Sequence, residues 1–292
     1  MAPLRVGLAG AGAWARTVTG PVLAAGPETT LTGVWSRTPA HADAAATALG
    51  VPALGDFDAL LETCDAVAVA VAPQAQPALA VRAAAAGRAL LLEKPLAADV
   101  AGATLVADAV GRAQVGALVM LSNRFNPAFD VFVDDIAGID AHGARGCFVS
   151  GALLGETYGH GWRLERGAVL DVGPHLLDLL EAALGPIVSV QAAGDPLGWT
   201  SLTCTHASGR TSSASLCCTT AGESRTEVEV FGRRGRATYD GRGGDPAQWA
   251  ARVRAALVAT ARGEPHPAGV ERVLRLQELV DAIERQLAGS AR

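Results

Sequence analysis

The first residues that could carry out chemistry form a glycine-rich turn near the start of the sequence. An apolar run over residues 4–9 leads into Gly10-Ala11-Gly12-Ala13-Trp14-Ala15, which is a G-x-G-x-x-A pattern. Gly10 permits a sharp turn from strand to helix, Gly12 lets the backbone approach a pyrophosphate, and Ala15 lets helix and strand pack closely. The N-terminus of the helix then offers N–H groups to phosphates. The pattern predicts a dinucleotide-binding turn; a structural glycine-rich turn and a cleaved signal peptide are the alternatives.

The residues after the second predicted strand indicate which dinucleotide binds. NAD enzymes usually place an acidic residue there, about 20 residues after the glycines, to bind the ribose 2′-hydroxyl. This chain instead has Ser36, Arg37 and Thr38, and a guanidinium suits a 2′-phosphate. We therefore predict that NADP is preferred, with NAD as the alternative. An ordinary surface arginine before a helix is the other interpretation of Arg37.

A second chemical motif stands at the end of the fourth predicted strand, where residues 89–92 lead into Glu93-Lys94-Pro95. Ligands of open α/β sheets bind beyond the carboxyl ends of the strands, which is where Lys94 would lie. An amine there would hydrogen-bond a substrate hydroxyl and stabilise the negative charge that grows on its oxygen as hydride leaves. The motif leaves two interpretations open, a catalytic Lys94 and a solvated surface lysine.

A third motif is Asp171-Val172-Gly173-Pro174-His175-Leu176-Leu177-Asp178. On a helix, Asp171, His175 and Asp178 share one face, which places an imidazole beside carboxylates for general base work. A buried core histidine is the alternative. Because proline fits only the first turn of a helix or a kink, the helix is predicted to start near Leu170 or to bend at Pro174. The other histidines show no ligand spacing, so no metal site is predicted.

The elements that must position these residues fall into two patterns. Up to residue 121, apolar runs alternate with helical segments, which predicts a doubly wound α/β domain with a parallel sheet over residues 1–121. Residues 122–292 are predicted to form an α+β domain with an open, mostly antiparallel sheet. Residues 233–244 are predicted to be a mobile loop. The predicted strands are 4–9, 31–35, 66–71, 89–92, 117–121, 145–151, 187–193, 199–207, 211–219 and 225–231; the helices are 14–24, 39–49, 75–86, 100–113, 168–184 and 270–287.

Composition narrows the class of protein. The 292 residues carry a net charge of −5, and the arginines are dispersed, which argues against nucleic acid as a partner. No apolar run reaches the roughly 18 to 20 residues of a membrane span. The five cysteines are odd in number and have no C-x-x-C spacing, which favours reduced thiols in the cytoplasm.

The three motifs, in this order, resemble the glucose-fructose oxidoreductase / inositol 2-dehydrogenase / rhizopine catabolism protein (Gfo/Idh/MocA) family. Further segments that fit are 124–127, 231–235 and 266–267. The resemblance implies a Rossmann domain followed by an open-sheet domain that is often used for oligomer contacts. A homodimer or homotetramer through the C-terminal sheet is therefore expected.

The resemblance also implies an NAD(P)-dependent oxidoreductase that acts on a secondary alcohol or ketone of a sugar, polyol or related small molecule. Lys94 would bind and polarise the reacting oxygen, His175 would accept the proton, and Asp171 would support the site. Pro73 and Glu93 would join the glycine turn, with Ala13 and Trp14, at the cofactor. The residues expected at the substrate are Arg124, Tyr158, Trp162, Arg163 and Asp178. Pro77 stands where many members have His, which removes one polar contact near the cofactor.

Two other functions remain open at this point. One is a non-catalytic nucleotide-binding sensor or regulatory protein, although such a protein has no need of a proton acceptor such as His175. The other is an NAD-dependent glycoside hydrolase, which would use transient oxidation on the same scaffold.

Overall fold

The computed structural model of the chain describes residues 2–290, which form two compact units. The first unit contains residues up to 120 and residues 249–274, and the second contains residues 121–248 and those from 275 onward. The sequence predicted a single boundary after residue 121 and did not predict that residues 249–274 belong to the first unit. Residues 249–274 are held in the first unit by contacts between positions far apart in the sequence. For example, the buried Arg254 guanidinium donates hydrogen bonds to Glu28 (2.7 Å) and to the Val22 carbonyl (3.1 Å).

The first unit is built on a five-stranded sheet in the order β2-β1-β3-β4-β5, with all strand pairs parallel. Its central strands are buried throughout, as expected where helices cover both faces. This confirms the predicted doubly wound sheet. The strands are β1 (Leu4–Ala9), β2 (Thr29–Trp35), β3 (Ala66–Val69), β4 (Ala89–Leu92) and β5 (Ala117–Val119). The helices are α1 (Gly20–Ala24), preceded by a π-helical turn (Ala15–Thr19), α2 (Pro39–Leu49), α3 (Phe57–Thr63), α4 (Gln76–Ala85) and α5 (Val100–Ala113).

The second unit is built on a six-stranded sheet in the order β11-β10-β6-β9-β8-β7. Only the β6–β9 pair is parallel, so the predicted, mostly antiparallel sheet is confirmed. The strands are β6 (Ala141–Val149), β7 (Ile187–Gly194), β8 (Thr200–His206), β9 (Thr211–Cys217), β10 (Arg225–Gly232) and β11 (Gly235–Asp240). The helices are a 3-10 turn (Ser122–Phe125), α6 (Pro127–Ile139) and α7 (Trp162–Leu184); α8 (Pro246–Ala261) and α9 (Val270–Ser290) have residues in both units.

Strand β11 corrects the prediction of a mobile loop at residues 233–244. Gly232 pairs with Gly235, so a two-residue turn joins β10 to β11. Ala237 and Tyr239 are buried, whereas Arg236 and Thr238 are exposed. The alternation of buried and exposed side chains makes this segment an edge strand, and the high Gly and Arg content had obscured that pattern.

Helix α7 is interrupted at Gly167, so its second part begins at Ala168, close to the start predicted near Leu170, and no break occurs at Pro174. Gly167 has φ 67° and ψ −157°, and the chain is helical again from Ala168 through Pro174. A Cβ atom at Gly167 would lie 1.9 Å from the carbonyl oxygen of Pro196. Backbone conformation and close approach therefore both require glycine at this break.

None of the helices in residues 2–290 combines the length and the apolar character that crossing a membrane requires.

Candidate active site

The glycine turn of the first unit has the geometry that the sequence predicts. Gly10 has φ +130°, and a Cβ atom there would lie 2.2 Å from the carbonyl oxygen of Ala70. A Cβ atom at Gly12 would have no heavy atom within 4 Å, so the space in front of the turn is open. Ala15 is fully buried at the start of the helix. The first amides of that helix have no acceptor within the helix and are suited to phosphate oxygens. The turn therefore fits the pyrophosphate of a dinucleotide.

The residues predicted to bind the adenosine ribose lie beside this turn. The Gly10 amide donates a hydrogen bond to the carbonyl of Trp35 (2.8 Å), the last residue of β2. The hydroxyl of Ser36 accepts a hydrogen bond from the Thr38 amide (3.4 Å). The Arg37 side chain is exposed, as a group that binds a ligand phosphate must be.

Glu93 connects the end of β4 to the helix that follows the glycine turn. Its Oε1 atom accepts hydrogen bonds from the indole Nε1 of Trp14 (2.8 Å) and from the hydroxyl of Thr19 (3.2 Å). Trp14 and Glu93 were both assigned to the cofactor from the sequence; the structure shows that they bind each other. Pro73 is buried in the segment between β3 and α4.

Lys94 lies two residues after the end of β4 and is half-buried. The sequence has 24 basic residues, and Lys94 is its only lysine. Arginine provides a permanent positive charge, whereas a lysine amine can also lose a proton and change its hydrogen-bonding role. A chain that uses arginine at every other basic position thus has its one amine at the carboxyl end of a central strand. A count of lysines would have revealed this from the sequence.

The second unit places His175 on α7, between Asp171 and Asp178. All three side chains are buried, and the His175 ring lies 6.2 Å from the ring of Phe148, centroid to centroid. The helix face predicted from the sequence is therefore formed and is turned away from bulk water. The described residues contain no group of three or more His, Cys, Asp or Glu that could hold a metal ion.

Both carboxylates beside His175 have arginine partners. Asp171 accepts a hydrogen bond from Nε of Arg163 (3.1 Å), and the Arg163 guanidinium lies over the rings of Trp162 (4.5 Å) and Tyr158 (5.4 Å). These contacts bring together three of the predicted substrate residues. They form a layer of aromatic and cationic groups near the start of α7.

Asp178 forms a bidentate ion pair with Arg124. The Nε and Nη2 atoms of Arg124 donate to the two carboxylate oxygens (2.6 and 2.9 Å), and the side chains are only 9% and 1% exposed. Removing one partner of such a buried ion pair strongly destabilises the folded protein, because the other charge is left buried and unpaired. Arg124 and Asp178 therefore join α7 to the 3-10 turn, a structural role that the sequence did not indicate.

One buried polar residue near Lys94 was missed in the sequence. The side chain of Gln76, at the start of α4, forms hydrogen bonds with the backbone of residues 93–96. A glutamine in an alanine-rich helix gives no sequence signal of such a role, because the contacts join positions 17 to 20 residues apart.

Two family models match the chain. The model described as an oxidoreductase family with an NAD-binding Rossmann fold matches residues 4–120. The model of the GFO/IDH/MocA C-terminal domain matches residues 142–238.

A curated relative is the dTDP-3,4-didehydro-2,6-dideoxy-α-D-glucose 3-reductase of Streptomyces violaceoruber. It is 32% identical over an alignment of 203 residues, and the alignment covers 65% of this chain and 57% of that protein. The match thus spans little more than half the length of the relative.

Two solved structures illustrate the similarity of fold. GenD2 from gentamicin A biosynthesis, in complex with NAD, has a TM-score of 0.85 at 22% identity, over 99% of this chain and 95% of that one. The UDP-N-acetylglucosamine 3-dehydrogenase of Acidithiobacillus ferrooxidans has a TM-score of 0.84 at 20% identity, over the whole of both chains.

Proposed function

The chain belongs to the Gfo/Idh/MocA oxidoreductase family, and we propose on this premise that it transfers a hydride between a nicotinamide cofactor and a secondary alcohol or ketone of a sugar, polyol or related molecule. The observation that carries the proposal is the position of Lys94. The only amine side chain of the sequence follows β4, and the neighbouring Glu93 is hydrogen-bonded to the helix after the glycine turn.

A bound nicotinamide cofactor supplies or accepts the hydride. The open space at Gly12 and the first helical amides would hold its pyrophosphate. Ser36, Arg37 and Thr38 would contact the adenosine ribose, and Pro73 would lie near the cofactor.

Lys94 has the electrostatic role in this proposal. As a hydroxyl carbon loses hydride and its oxygen loses a proton, negative charge grows on that oxygen. A positioned amine donor stabilises the charge in the transition state more than in the bound alcohol, and this difference is what lowers the barrier. In the reduction direction, the same donor polarises the carbonyl.

His175 has the proton-transfer role. In the oxidation direction, a neutral imidazole accepts the hydroxyl proton; in the reduction direction, the imidazolium returns it. Asp171 and Asp178 share its helix face, and Arg163 and Arg124 hold these carboxylates in place. The surroundings of the imidazole are therefore fixed before substrate binds, which lowers the cost of reorganisation during the reaction.

The substrate class is inferred from the relatives. The curated relative is a reductase of a dTDP-linked sugar, and one of the structural neighbours is a dehydrogenase of a UDP-linked amino sugar. We therefore include nucleotide-linked sugars among the substrates to be tested.

The test is a panel assay. Purified protein is mixed with NADP⁺ or NAD⁺ and a set of polyols, sugars and nucleotide-linked sugars, or with the reduced cofactors and keto sugars. We expect a substrate-dependent change in the absorbance of reduced nicotinamide that is lost in Lys94→Ala. Tight cofactor binding with no absorbance change across the panel would favour a sensor. Release of an aryl leaving group from a glycoside, with no net cofactor reduction, would favour a hydrolase.

NADP is the cofactor that we propose to be preferred, because Arg37 is exposed beside Ser36 and no acidic residue stands there. A hydrogen bond to a charged group contributes about 1.5–3 kcal/mol, so Arg37→Ala should weaken NADPH binding by about 10- to 100-fold. The Kd for NADH should change by less than about threefold, because NADH lacks the 2′-phosphate. Fluorescence titration of both nucleotides measures this. The control is Arg112→Ala, which removes an exposed arginine from α5. A similar loss of both nucleotides in Arg37→Ala would contradict the assignment.

We also propose that the chain forms a homodimer or homotetramer through the face of the six-stranded sheet that does not pack under α7. Thr203 and Ser213 are exposed between buried neighbours on their strands. Phe231 is exposed near the end of β10, and the Arg145 guanidinium lies 5.6 Å from its ring centroid. Exposed aromatic and arginine side chains are enriched at protein interfaces. Sedimentation velocity at several concentrations should give twice or four times the chain mass; a monomer at micromolar concentration would contradict this proposal.

The proposed location is the cytoplasm, where the soluble nicotinamide nucleotides are. Fractionation of the source cells tests this.

A further inference from the structure

We propose that Gln76 is the positioning residue for Lys94: its buried carboxamide fixes the backbone on both sides of the lysine and so sets the place of the ε-amine. The inference rests on the proposed role of Lys94. It adds a residue for which the sequence motifs gave no signal.

The Gln76 side chain is 1% exposed and is surrounded by the turn that contains Lys94. Its Nε2 atom lies 2.7 Å from the carbonyl oxygen of Glu93, 3.0 Å from that of Leu96 and 3.1 Å from that of Pro95. Its Oε1 atom accepts a hydrogen bond from the Glu93 amide (3.0 Å). One side chain therefore binds backbone groups before and after Lys94.

The turn needs these hydrogen bonds because it lies beyond the strand ladder. In the last hydrogen bonds of the sheet, the Met120 amide donates to the Leu92 carbonyl (2.9 Å) and the Glu93 amide donates to the Val69 carbonyl (3.3 Å). After Glu93 the strand partners end, and Pro95 has no N–H to contribute. Buried carbonyls without a donor are costly. A carboxamide has two N–H donors and one acceptor, so it can serve three carbonyls only by sharing one N–H between two of them.

A second anchor holds the same turn from the side chain of Glu93, which accepts from Trp14 and Thr19. The two anchors have different partners. Glu93 binds the helix of the glycine turn, whereas Gln76 binds only the backbone of residues 93–96. A change at Gln76 should therefore move Lys94 and leave the glycine turn in place.

The most informative variant is Gln76→Glu, because the shape is retained and the amino group becomes an oxygen. The new carboxyl would face three carbonyl oxygens: ionised, it would donate no hydrogen bond, and protonated, it would donate only one. In either form it cannot replace the carboxamide. We expect the turn to shift and turnover to fall by about 10- to 100-fold, since a displacement of about 1 Å at a reacting group can cost 10²-fold. The Kd for NADPH should stay within about threefold of the wild type, because the hydrogen bonds of the Gln76 side chain reach residues 93–96 and not the glycine turn. Gln74→Glu is the matched control: it introduces the same charge two residues away, on an exposed side chain.

A second measurement needs no substrate. Because Lys94 is the only lysine, reductive methylation with ¹³C-formaldehyde labels one side-chain amine and the N-terminal amine, and Lys94→Arg identifies which NMR signal belongs to Lys94. We expect the Lys94 signal to move in Gln76→Glu and in the neutral Gln76→Met, and to keep its wild-type position in Gln74→Glu. Circular dichroism and NADPH titration establish that each variant is folded; Gln76→Met serves if Gln76→Glu does not fold.

The outcomes separate this inference from the proposed function. An unchanged Lys94 signal in folded Gln76→Glu and Gln76→Met would overturn the positioning role, whatever the activity of Lys94→Ala. If the Lys94 signal moves in the Gln76 variants but Lys94→Ala has unimpaired turnover, the catalytic role of Lys94 is overturned and the structural link between the two residues stands.

A double-mutant cycle tests whether Gln76 acts through Lys94. Gln76→Glu should lower turnover much less in the Lys94→Ala background than in the wild type. An equal decrease in both backgrounds would mean that Gln76 acts through another group.

Discussion

Replacing Lys94 by alanine is expected to lower turnover by about 10²- to 10³-fold, the usual effect of removing one donor to a developing oxyanion. The Kd for NADPH should remain within about threefold, because the phosphate and ribose contacts lie on the glycine turn and after β2. The variant truncates a half-buried side chain and leaves the hydrogen bonds of Gln76 and Glu93 to the backbone and to Trp14 possible. Steady-state kinetics with the substrate from the panel, together with fluorescence titration of NADPH, measures both quantities.

Lys94→Arg separates the charge of the side chain from its shape and acid–base chemistry. A guanidinium keeps the positive charge but is planar, longer and effectively always protonated. If Lys94 only attracts an anionic group, Lys94→Arg should retain most of the activity; if the amine must fit against one oxygen, it should resemble Lys94→Ala. A loss of NADPH affinity as large as the loss of turnover in Lys94→Ala would contradict the assigned role, because it would place Lys94 at the cofactor alone.

The parts of the fold that the sequence predicts well are those specified by neighbouring residues. The apolar runs of the first unit are strands, and β1 and β4 have the predicted bounds. The glycine turn has the predicted backbone because Gly10 alone permits its positive φ and its approach to Ala70. The spacing of Asp171, His175 and Asp178 needs only helical geometry to place them on one face.

The parts that the sequence did not predict depend on contacts between distant positions. Arg124 pairs with Asp178, 54 residues away, and the Gln76 carboxamide binds a turn that follows another strand. Nothing in the local pattern specifies which arginine meets which carboxylate, since 24 basic and 29 acidic residues offer many pairings. The site therefore required the fold before its supporting contacts could be seen.

Helix α6 is a different case, because its local signals were present and were not used. The Asn126 side chain accepts a hydrogen bond from the Ala128 amide (2.9 Å), and Pro127 is the first helical residue. Asn at the N-cap followed by Pro is a strong start signal. The same residues were interpreted only as a family motif, and the helix that they begin was overlooked.

Replacing His175 by alanine is expected to lower turnover by about 10²- to 10⁴-fold, the range of general acid–base catalysis. In the oxidation direction, the wild-type rate should fall on acidification, because a protonated imidazole cannot accept the hydroxyl proton. The residual activity of His175→Ala should lack this dependence, since water, which does not titrate in this range, then takes the proton. The pH profiles of kcat for both proteins measure this, and NADPH titration should show a similar Kd for the two.

The control for His175 is His142→Ala, which removes an exposed histidine from β6 and should leave the pH profile unchanged. Because His175 is buried, truncation leaves a cavity, so the thermal midpoint of each variant must be compared as well. His175→Gln keeps more of the volume and cannot act as a base, and it should therefore lose the acid dependence with less effect on stability than His175→Ala. If His175→Gln kept the wild-type pH profile, another group would have to be the proton acceptor. His175 would then be a core histidine whose neighbouring ion pairs, Arg163–Asp171 and Arg124–Asp178, serve only to fix α7.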